Sequence, residues 1–381
     1  MSRALLYVVP DARFFLTHRL PLALAAREAG YDVHVATPDG AEIERIRAMG
    51  LQWHRVRFGP MRRKPWSDLQ SLIDAIRLYR QLRPTLVHHV SFKAILYGTI
   101  AARLAHVRGV VNAMTGMGDV FAAHSFSDRI WRRLIIALFR AFVRHDRMIV
   151  IAQNVEDLEL MVGAGVVRRD QVRLIRGSGV DPDYFVPAPK RREGIPVVAF
   201  VGRVIATKGI SEFAAAARRL REQGVRARFV VAGARDDGSG KVIADRTFDD
   251  WVSRGDIEYL GLRDDAREIY AEADIVCLPS WGGEGVPKAL IEAASCELPI
   301  VTTDVPGCRD IVRNGENGLL VAPHSVEPLA DAIRTLIGDP ALRARMGARG
   351  RQIATEEFSL RQVIDSTLAL YAELIASSAI G

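Results

Sequence analysis

The sequence predicts an α/β protein built as two Rossmann-like lobes, each a doubly wound parallel sheet, facing one another across a cleft. Three observations predict it. Short runs rich in β-branched residues alternate with longer helical stretches, which is the βαβ rhythm of a parallel sheet covered on both faces. The rhythm runs once to about residue 152 and restarts near residue 196. A chain of 381 residues also exceeds what one hydrophobic core ordinarily holds and suits two domains.

In the first series the strands are "ALLYVV", "YDVHVA", "LVHHV", "GVVNAM" and "RMIVIA"; in the second they are "VVAFVG", "ARFVVAG", "DIEYL", "DIVCLP" and "LPIVTT". Between the series, "FVPAPKRREGIP" carries three prolines, a charge run and no periodicity, the composition of a linker. The expected organisation is an N-terminal domain over 1–185, a linker over 186–196 and a C-terminal domain over 197–355. Late helices over 356–381 are expected to pack back toward the N-terminal domain. Ligands of such sheets bind beyond the carboxyl ends of the strands, so chemistry is expected in the loops that follow strands.

Composition narrows the function classes. With 49% hydrophobic and 25% charged residues the chain reads as a soluble globular protein. No apolar run approaches the roughly 20 residues of a spanning helix. The N-terminal "MSRALLYVVPDARFF" reads as a first strand and not as a signal peptide, so a cytoplasmic protein is expected. Three cysteines, Cys277, Cys296 and Cys308, lack metal-site spacing and read as small buried residues. The net charge of +7 admits nucleic acid, an anionic membrane or an anionic substrate. Basic residues gather at Arg62, Arg63 and Lys64 and along 129–147, without the interleaved aromatics of a single-strand nucleic-acid groove, so nucleic acid is not expected.

The chemistry concentrates in the second lobe. "VVAFVG" runs into "GRVIATKGISEF", which sets Gly202, Arg203 and Lys208 in a glycine turn ahead of a helix, a ready site for phosphates. It is neither a P-loop nor a GxGxxG turn, and standing alone it reads equally as a solvated loop. It is joined by "SWGGEGVPKALIEAASC", where Pro287 suits the start of a helix, Glu284 lies in the loop before it and Glu292 on it. Carboxylates accept from vicinal hydroxyls of the kind ribose and hexose rings present. The same pair also admits one surface glutamate and one satisfied buried one. The one DxD, Asp181 and Asp183 in "DPD", reads as a turn and not as a cation site, and Asn154 reads as a helix cap.

The two glutamates with seven residues between them, followed by "LPIVTTDVPGCRDIV" and "NGLLV", resemble the signature of retaining glycosyltransferases of family 4, which have the GT-B fold; the resemblance covers most of 195–322. It implies a nucleotide-sugar site made of Gly202, Arg203, Lys208, Glu284, Gly285, Val286, Pro287 and Glu292. In it Glu284 would meet the donor sugar, Glu292 the ribose, and Arg203 with Lys208 the diphosphate. Arg203, Lys208 and Glu284 are then the catalytic candidates, and cations placed where the leaving diphosphate gains charge make a metal unnecessary. No metal or other cofactor is expected, and front-side attack, with the departing phosphate taking the acceptor's proton, is the favoured route.

The first lobe departs from many relatives, with no Gly-Gly turn after the first strand and Thr115 where a histidine often lies. "HR", "K…YG…AARLA" and the "TGMG" turn resemble instead the branch that acts on polyprenyl-diphosphate-linked sugars. That implies acceptor contacts at His18, Arg19, Lys93, Thr115 and Gly116. His18 also reads as a satisfied helix residue and Lys93 as a solvated one. Along 128–147, Arg129, Arg133, Arg140 and Arg144 fall in a sector of about 60° beside a broad apolar face. This suits a helix on an anionic membrane surface or a core helix with one wet edge. The sequence is thus read as a metal-independent retaining hexosyltransferase, using a nucleotide sugar, UDP-linked by expectation, and a lipid-linked sugar acceptor in bacterial surface glycan assembly. Its expected place is peripheral, on the cytoplasmic face of the inner membrane. The alternatives are a GT-B-like nucleotide-sugar epimerase and a non-catalytic sugar-nucleotide-binding scaffold.

Overall fold

The computed structural model describes residues 3–57, 65–116, 133, 136–137, 139–141, 147–189, 194–235, 242–263 and 265–376, without the side chains of 65–67. The chain divides into two compact units, Met1–Ser178 with Arg361–Gly381, and Gly179–Leu360.

The first unit holds seven parallel strands: β1 (Arg3–Val8), β2 (Tyr31–Thr37), β3 (Gln52–Arg55), β4 (Leu86–Val90), β5 (Gly109–Ala113), β6 (Met148–Ala152) and β7 (Val172–Leu174). Their order is β3-β2-β1-β4-β5-β6-β7. Because successive strand residues face opposite ways, β1, β4, β5 and β6 each feed two cores. Leu6, Val8, Val87, Val110 and Val150 enter one of them, and Leu5, Tyr7, Leu86, Val111 and Ile149 the other. That second core includes Val363, Leu370, Tyr371 and Leu374 of the helix Leu360–Ala376, so the end of the chain supplies part of one helical layer of this sheet.

The second unit holds β8 (Val197–Val201), β9 (Arg228–Ala232), β10 (Glu258–Gly261), β11 (Ile275–Leu278), β12 (Ile300–Thr303) and β13 (Gly318–Val321), in the order β10-β9-β8-β11-β12-β13, all parallel. The division between units falls at Ser178/Gly179, ahead of the proline-rich stretch, for a packing reason. Val180 and Phe185 are buried in the second unit's core, where the Phe185 carbonyl accepts from Ser295 Oγ at 2.7 Å and Arg351 at 3.2 Å. At the other end residues 356–360 stay with the second unit, because Phe358 lies in its core and its carbonyl accepts from the Val180 amide at 2.9 Å.

Each sheet has one point where the strand order reverses, between β1 and β4 in the first unit and between β8 and β11 in the second. Loops leaving adjacent strands in opposite directions open a crevice there, where doubly wound folds bind ligands.

Of the basic stretches, Arg62, Arg63, Lys64, Arg129, Trp131 and Arg144 lie outside the described residues. Within 128–147, Phe139 is buried with its ring 4.6 Å from that of Phe92, and Arg140 donates to the Ala164 carbonyl at 2.8 Å. These two side chains are engaged by the protein itself, and Arg140 is not a bare member of a basic stripe.

Among the described residues no helix is long and apolar enough to cross a membrane. Cys277, Cys296 and Cys308 are all buried, and burial pushes the thiols of Cys296 and Cys308 up to about 12, which keeps them protonated and unreactive. Asp181 Oδ1 accepts from the amides of Asp183 and Tyr184, so "DPD" is a turn; Asn154 caps the helix Val155–Gly163 by accepting from Asp157 N at 2.7 Å.

Candidate functional site

In the second unit the loops after β8, β11 and β12, three neighbouring strands, are interlocked through glycine. The β8 loop ends in a single 3₁₀ turn, Ala206–Lys208, and Gly209 then starts the helix Ile210–Glu222 in the left-handed region, φ +76°. A Cβ at Gly209 would lie 2.0 Å from the Pro279 carbonyl oxygen, so only glycine lets these two loops meet. The β11 loop is pinned in turn by its own backbone, with Trp281 N and Gly282 N donating to the Thr207 carbonyl at 2.9 and 3.1 Å. Gly307, at φ +78°, closes the β12 loop onto the carbonyl of Gly285, which a Cβ would approach to 1.8 Å.

This frame brings Lys208 and Glu284 together. Their charged ends form an ion pair, with both side chains mostly buried. Ser280 Oγ lies 2.9 Å from Glu284 Oε1 and 3.1 Å from the Thr207 carbonyl, its single proton shared between these acceptors. Gly285, Val286 and Pro287 are buried beneath the start of the helix Lys288–Ser295, with Pro287 at its N-cap. Gly202 adopts φ +157°, and Arg203 is exposed. Glu292 is 7% exposed and satisfied inside the unit, paired with Lys288 at 2.7 Å and accepting from the Tyr270 hydroxyl at 3.1 Å. Glu284 lies four residues before that helix, so the two carboxylates are related by the loop frame and not by a shared helix face.

Sequence reasoning missed Ser280, Thr207 and Tyr270. A signal existed for Lys288, which stands four residues before Glu292 on one helix.

In the first unit the acceptor candidates follow the carboxyl ends of three adjacent strands: His18 and Arg19 after β1, Lys93 after β4, Thr115 and Gly116 after β5. His18 stacks on Phe14 with parallel rings 4.1 Å apart, and its Nδ1 lies 2.7 Å from Thr17 Oγ1, so the histidine is held within its own helix. Lys93 is 6% exposed and paired with Asp68 at 2.6 Å, neither solvated nor a cation without an acid. The same Asp68 engages Tyr97; burial and that carboxylate push the phenol up to about 12. Thr115 is partly exposed and Gly116 takes φ +127°.

Arg19 differs from Lys93. It is 4% exposed, at the junction of the helices Ala12–His18 and Leu20–Glu28, and burial lowers the proton affinity of its guanidinium. The groups that interact with it electrostatically are Tyr7, Tyr371 and His88, none of them an acid in its usual state. Tyr371 OH lies 3.0 Å from Tyr7 OH and 2.5 Å from His88 Nδ1, while Tyr7 and His88, opposite one another on β1 and β4, stack at 5.1 Å. Among the described residues no group of three or more His, Cys, Asp or Glu is placed to hold a metal ion.

Two family models match the chain, one described as glycosyl transferase 4-like over residues 4–152 and one as glycosyl transferases group 1 over residues 195–339. Among curated proteins, an N,N'-diacetylbacillosaminyl-diphospho-undecaprenol α-1,3-N-acetylgalactosaminyltransferase of Campylobacter jejuni is 23% identical, covering 89% of this chain and 90% of its own. A UDP-Gal:α-D-GlcNAc-diphosphoundecaprenol α-1,3-galactosyltransferase of Escherichia coli is 27% identical, covering 81% of each. Among solved structures, HepE of Anabaena in complex with UDP superposes with a TM-score of 0.77 at 18% identity, over 98% of this chain and all of the other, a likeness of fold.

Proposed function

The chain belongs to the family 4 glycosyltransferases of GT-B fold, and from that premise we propose that it moves a hexose-type unit from a UDP-sugar to a polyprenyl-diphosphate-linked sugar in surface glycan assembly. The acceptor class is supported by the activities of the Campylobacter and Escherichia relatives. The epimerase and scaffold readings gain no support from those relatives.

The observation that carries the donor half is the Lys208–Glu284 pair, set by three interlocked loops at the β8/β11 reversal. A nucleotide diphosphate brings negative charge that competes with Glu284 for Lys208, and the sugar brings hydroxyls that give Glu284 new donors. As the sugar–phosphate bond breaks, charge develops on the leaving diphosphate, where Lys208, Arg203 and the free amides at the start of the helix Ile210–Glu222 stabilise it. Those groups carry the electrostatic load, and we propose a reaction that needs no metal ion. Glu292, already buried and oriented by Tyr270 and Lys288, keeps lone pairs for a ribose hydroxyl. The departing phosphate takes the acceptor's proton, which gives retention without a protein nucleophile. A cytoplasmic, membrane-peripheral location belongs to the same proposal, since the acceptor is a membrane lipid.

The test is transfer itself. UDP-sugars are offered one at a time with a prenyl-diphosphate-linked sugar and EDTA, and products are resolved by mass spectrometry and anomeric NMR. A new α-linked disaccharide lipid, lost in Lys208→Ala, is expected. Conversion of the nucleotide sugar without acceptor would replace transfer by epimerisation, and dependence on added divalent metal would overturn the metal-free step.

A further inference from the structure

We propose that Arg19 and His88 form a buried anion site in the first unit and that it takes the diphosphate group of the acceptor. The inference rests on the acceptor reading above and adds a site to it. His88 was not a candidate in the sequence, and Lys93, which was, already has Asp68.

Among the described residues Arg19 Nε is buried and without a hydrogen-bond partner, and the guanidinium donates from Nη1 to the His18 carbonyl at 3.3 Å. A guanidinium stays charged in a protein, and a buried charge without a counter-charge is strongly unfavourable. Lys93, also buried in this unit, obeys the rule and has its carboxylate. Among the described residues Arg19 has none.

The protons around it point the same way. Burial holds both phenols protonated and His88 neutral. Tyr371 OH sits between two partners, Tyr7 OH and His88 Nδ1. Every hydroxyl proton finds an acceptor in one arrangement, with Tyr7 donating to Tyr371 and Tyr371 donating to His88 Nδ1. The imidazole proton is then on Nε2, and among the described residues that atom is buried without a partner. The reverse arrangement leaves the Tyr7 proton and the Nε2 lone pair both unused. Two unsatisfied atoms thus remain in one cluster, Arg19 Nε–H and His88 Nε2–H, and both are donors beside a full positive charge.

Donors and a cation without an acceptor call for an anion. The cluster lies at the β1/β4 reversal, where this fold class opens its ligand crevice. A diphosphate has oxygens enough for a guanidinium edge and an imidazole at once.

The test separates this site from the donor site by using the Lys208→Ala protein as the parent. Inorganic pyrophosphate and a short-chain prenyl diphosphate are titrated by calorimetry and thermal shift. Arg19→Met and His88→Asn are each expected to weaken binding about 10- to 100-fold. Arg19→Met is also expected to raise the melting temperature of the unliganded protein, because it removes an uncompensated buried charge. Binding that survives Arg19→Met overturns the proposal. So does an Arg19→Met protein less stable than its parent, since the guanidinium would then serve the fold. Transfer, measured separately on the protein with Lys208 intact, is not the readout: its failure there with diphosphate binding intact in the parent would overturn the functional reading alone, and absent diphosphate binding with that transfer intact would overturn this site alone.

Discussion

Replacing Glu284 by glutamine is expected to tighten UDP binding while abolishing sugar transfer, an effect of opposite sign on two steps that share one residue. In the free protein Glu284 holds Lys208. A phosphate must draw the ammonium off that carboxylate and then sit near a negative charge. At contact distance and an effective dielectric near 20, two unit charges attract by about 4–5 kcal/mol. Partial exposure of both side chains and the hydration that each recovers on separation remove most of this, leaving about 1–2 kcal/mol. Glutamine keeps the size of the side chain and the bond to Ser280 while removing the charge, so UDP should bind about 5- to 30-fold tighter. The hydroxyl-accepting carboxylate is gone at the same time, and kcat with a UDP-sugar should fall by at least 100-fold. Calorimetry with UDP on wild type and variant, beside single-turnover transfer, measures both. Weaker or unchanged UDP binding in Glu284→Gln would refute the competition for Lys208.

Three further expectations follow from the same geometry. Gly307→Ala adds a Cβ 1.8 Å from the Gly285 carbonyl at φ +78°; the left-handed backbone alone costs about 1–2 kcal/mol, and a lower melting temperature should come with a raised KM for donor, whereas an unchanged KM would mean that the loops are not interlocked. Tyr371→Phe removes the hydroxyl that bridges Tyr7 and His88 inside the first unit's core and should cost about 1–3 kcal/mol in urea unfolding; a neutral effect would show the bridge to be incidental. Burial pushes His89 down to about 4, so between that value and the ordinary 6.5 the unfolded chain binds a proton that the folded protein does not. Stability is therefore full above about 6.5 and falls by about 3 kcal/mol as pH drops toward 4, with His88 shifted in the same direction; a flat profile from pH 7.5 to 5 would contradict the buried neutral imidazoles.

The sheets were legible in the sequence where they are covered on both sides. β4, β5 and β6 are buried along their whole length; β6 is an unbroken apolar run, while β4 and β5 are apolar runs interrupted only by His88, His89 and Asn112. The three strands that the sequence did not announce, "QWHR", "VRL" and "GLLV", are β3, β7 and β13, and all three are edge strands. β3 and β7 are four and three residues long and keep part of their surface in water, so they need no apolar run and leave no distinct pattern, whereas β13 is apolar but only four residues long. The division between the units at Ser178/Gly179 leaves no local mark for a related reason. Proline and charge mark the stretch after Phe185, but what assigns residues 179–185 to a unit is the burial of Val180 and Phe185, which local composition does not encode.

For the sites, the sequence named residue types and left their pairing open. Lys93 and Arg19 looked alike there, each a cation shortly after a strand with an anionic ligand to suit it. What separates them is a carboxylate 25 residues before Lys93 in the chain, Asp68, which the fold brings to 2.6 Å, and the lack of any such partner among the described residues near Arg19. Sequence separation says nothing about that difference, because charge compensation is a property of the packed structure. The same holds in the second unit, where the two-glutamate motif marks Glu284 but not that its charge is spent on Lys208. The two units therefore present opposite electrostatic states. A cation already neutralised in place can release a diphosphate product when its own carboxylate recaptures it. A cation with no internal partner instead favours holding its anion. On the proposed reaction this is the useful division, since the nucleotide must leave after each turnover while the lipid diphosphate is not altered by it. Comparing dissociation rates by stopped flow tests this step: UDP should leave the second unit faster than a prenyl diphosphate leaves the first, and the reverse order would refute it.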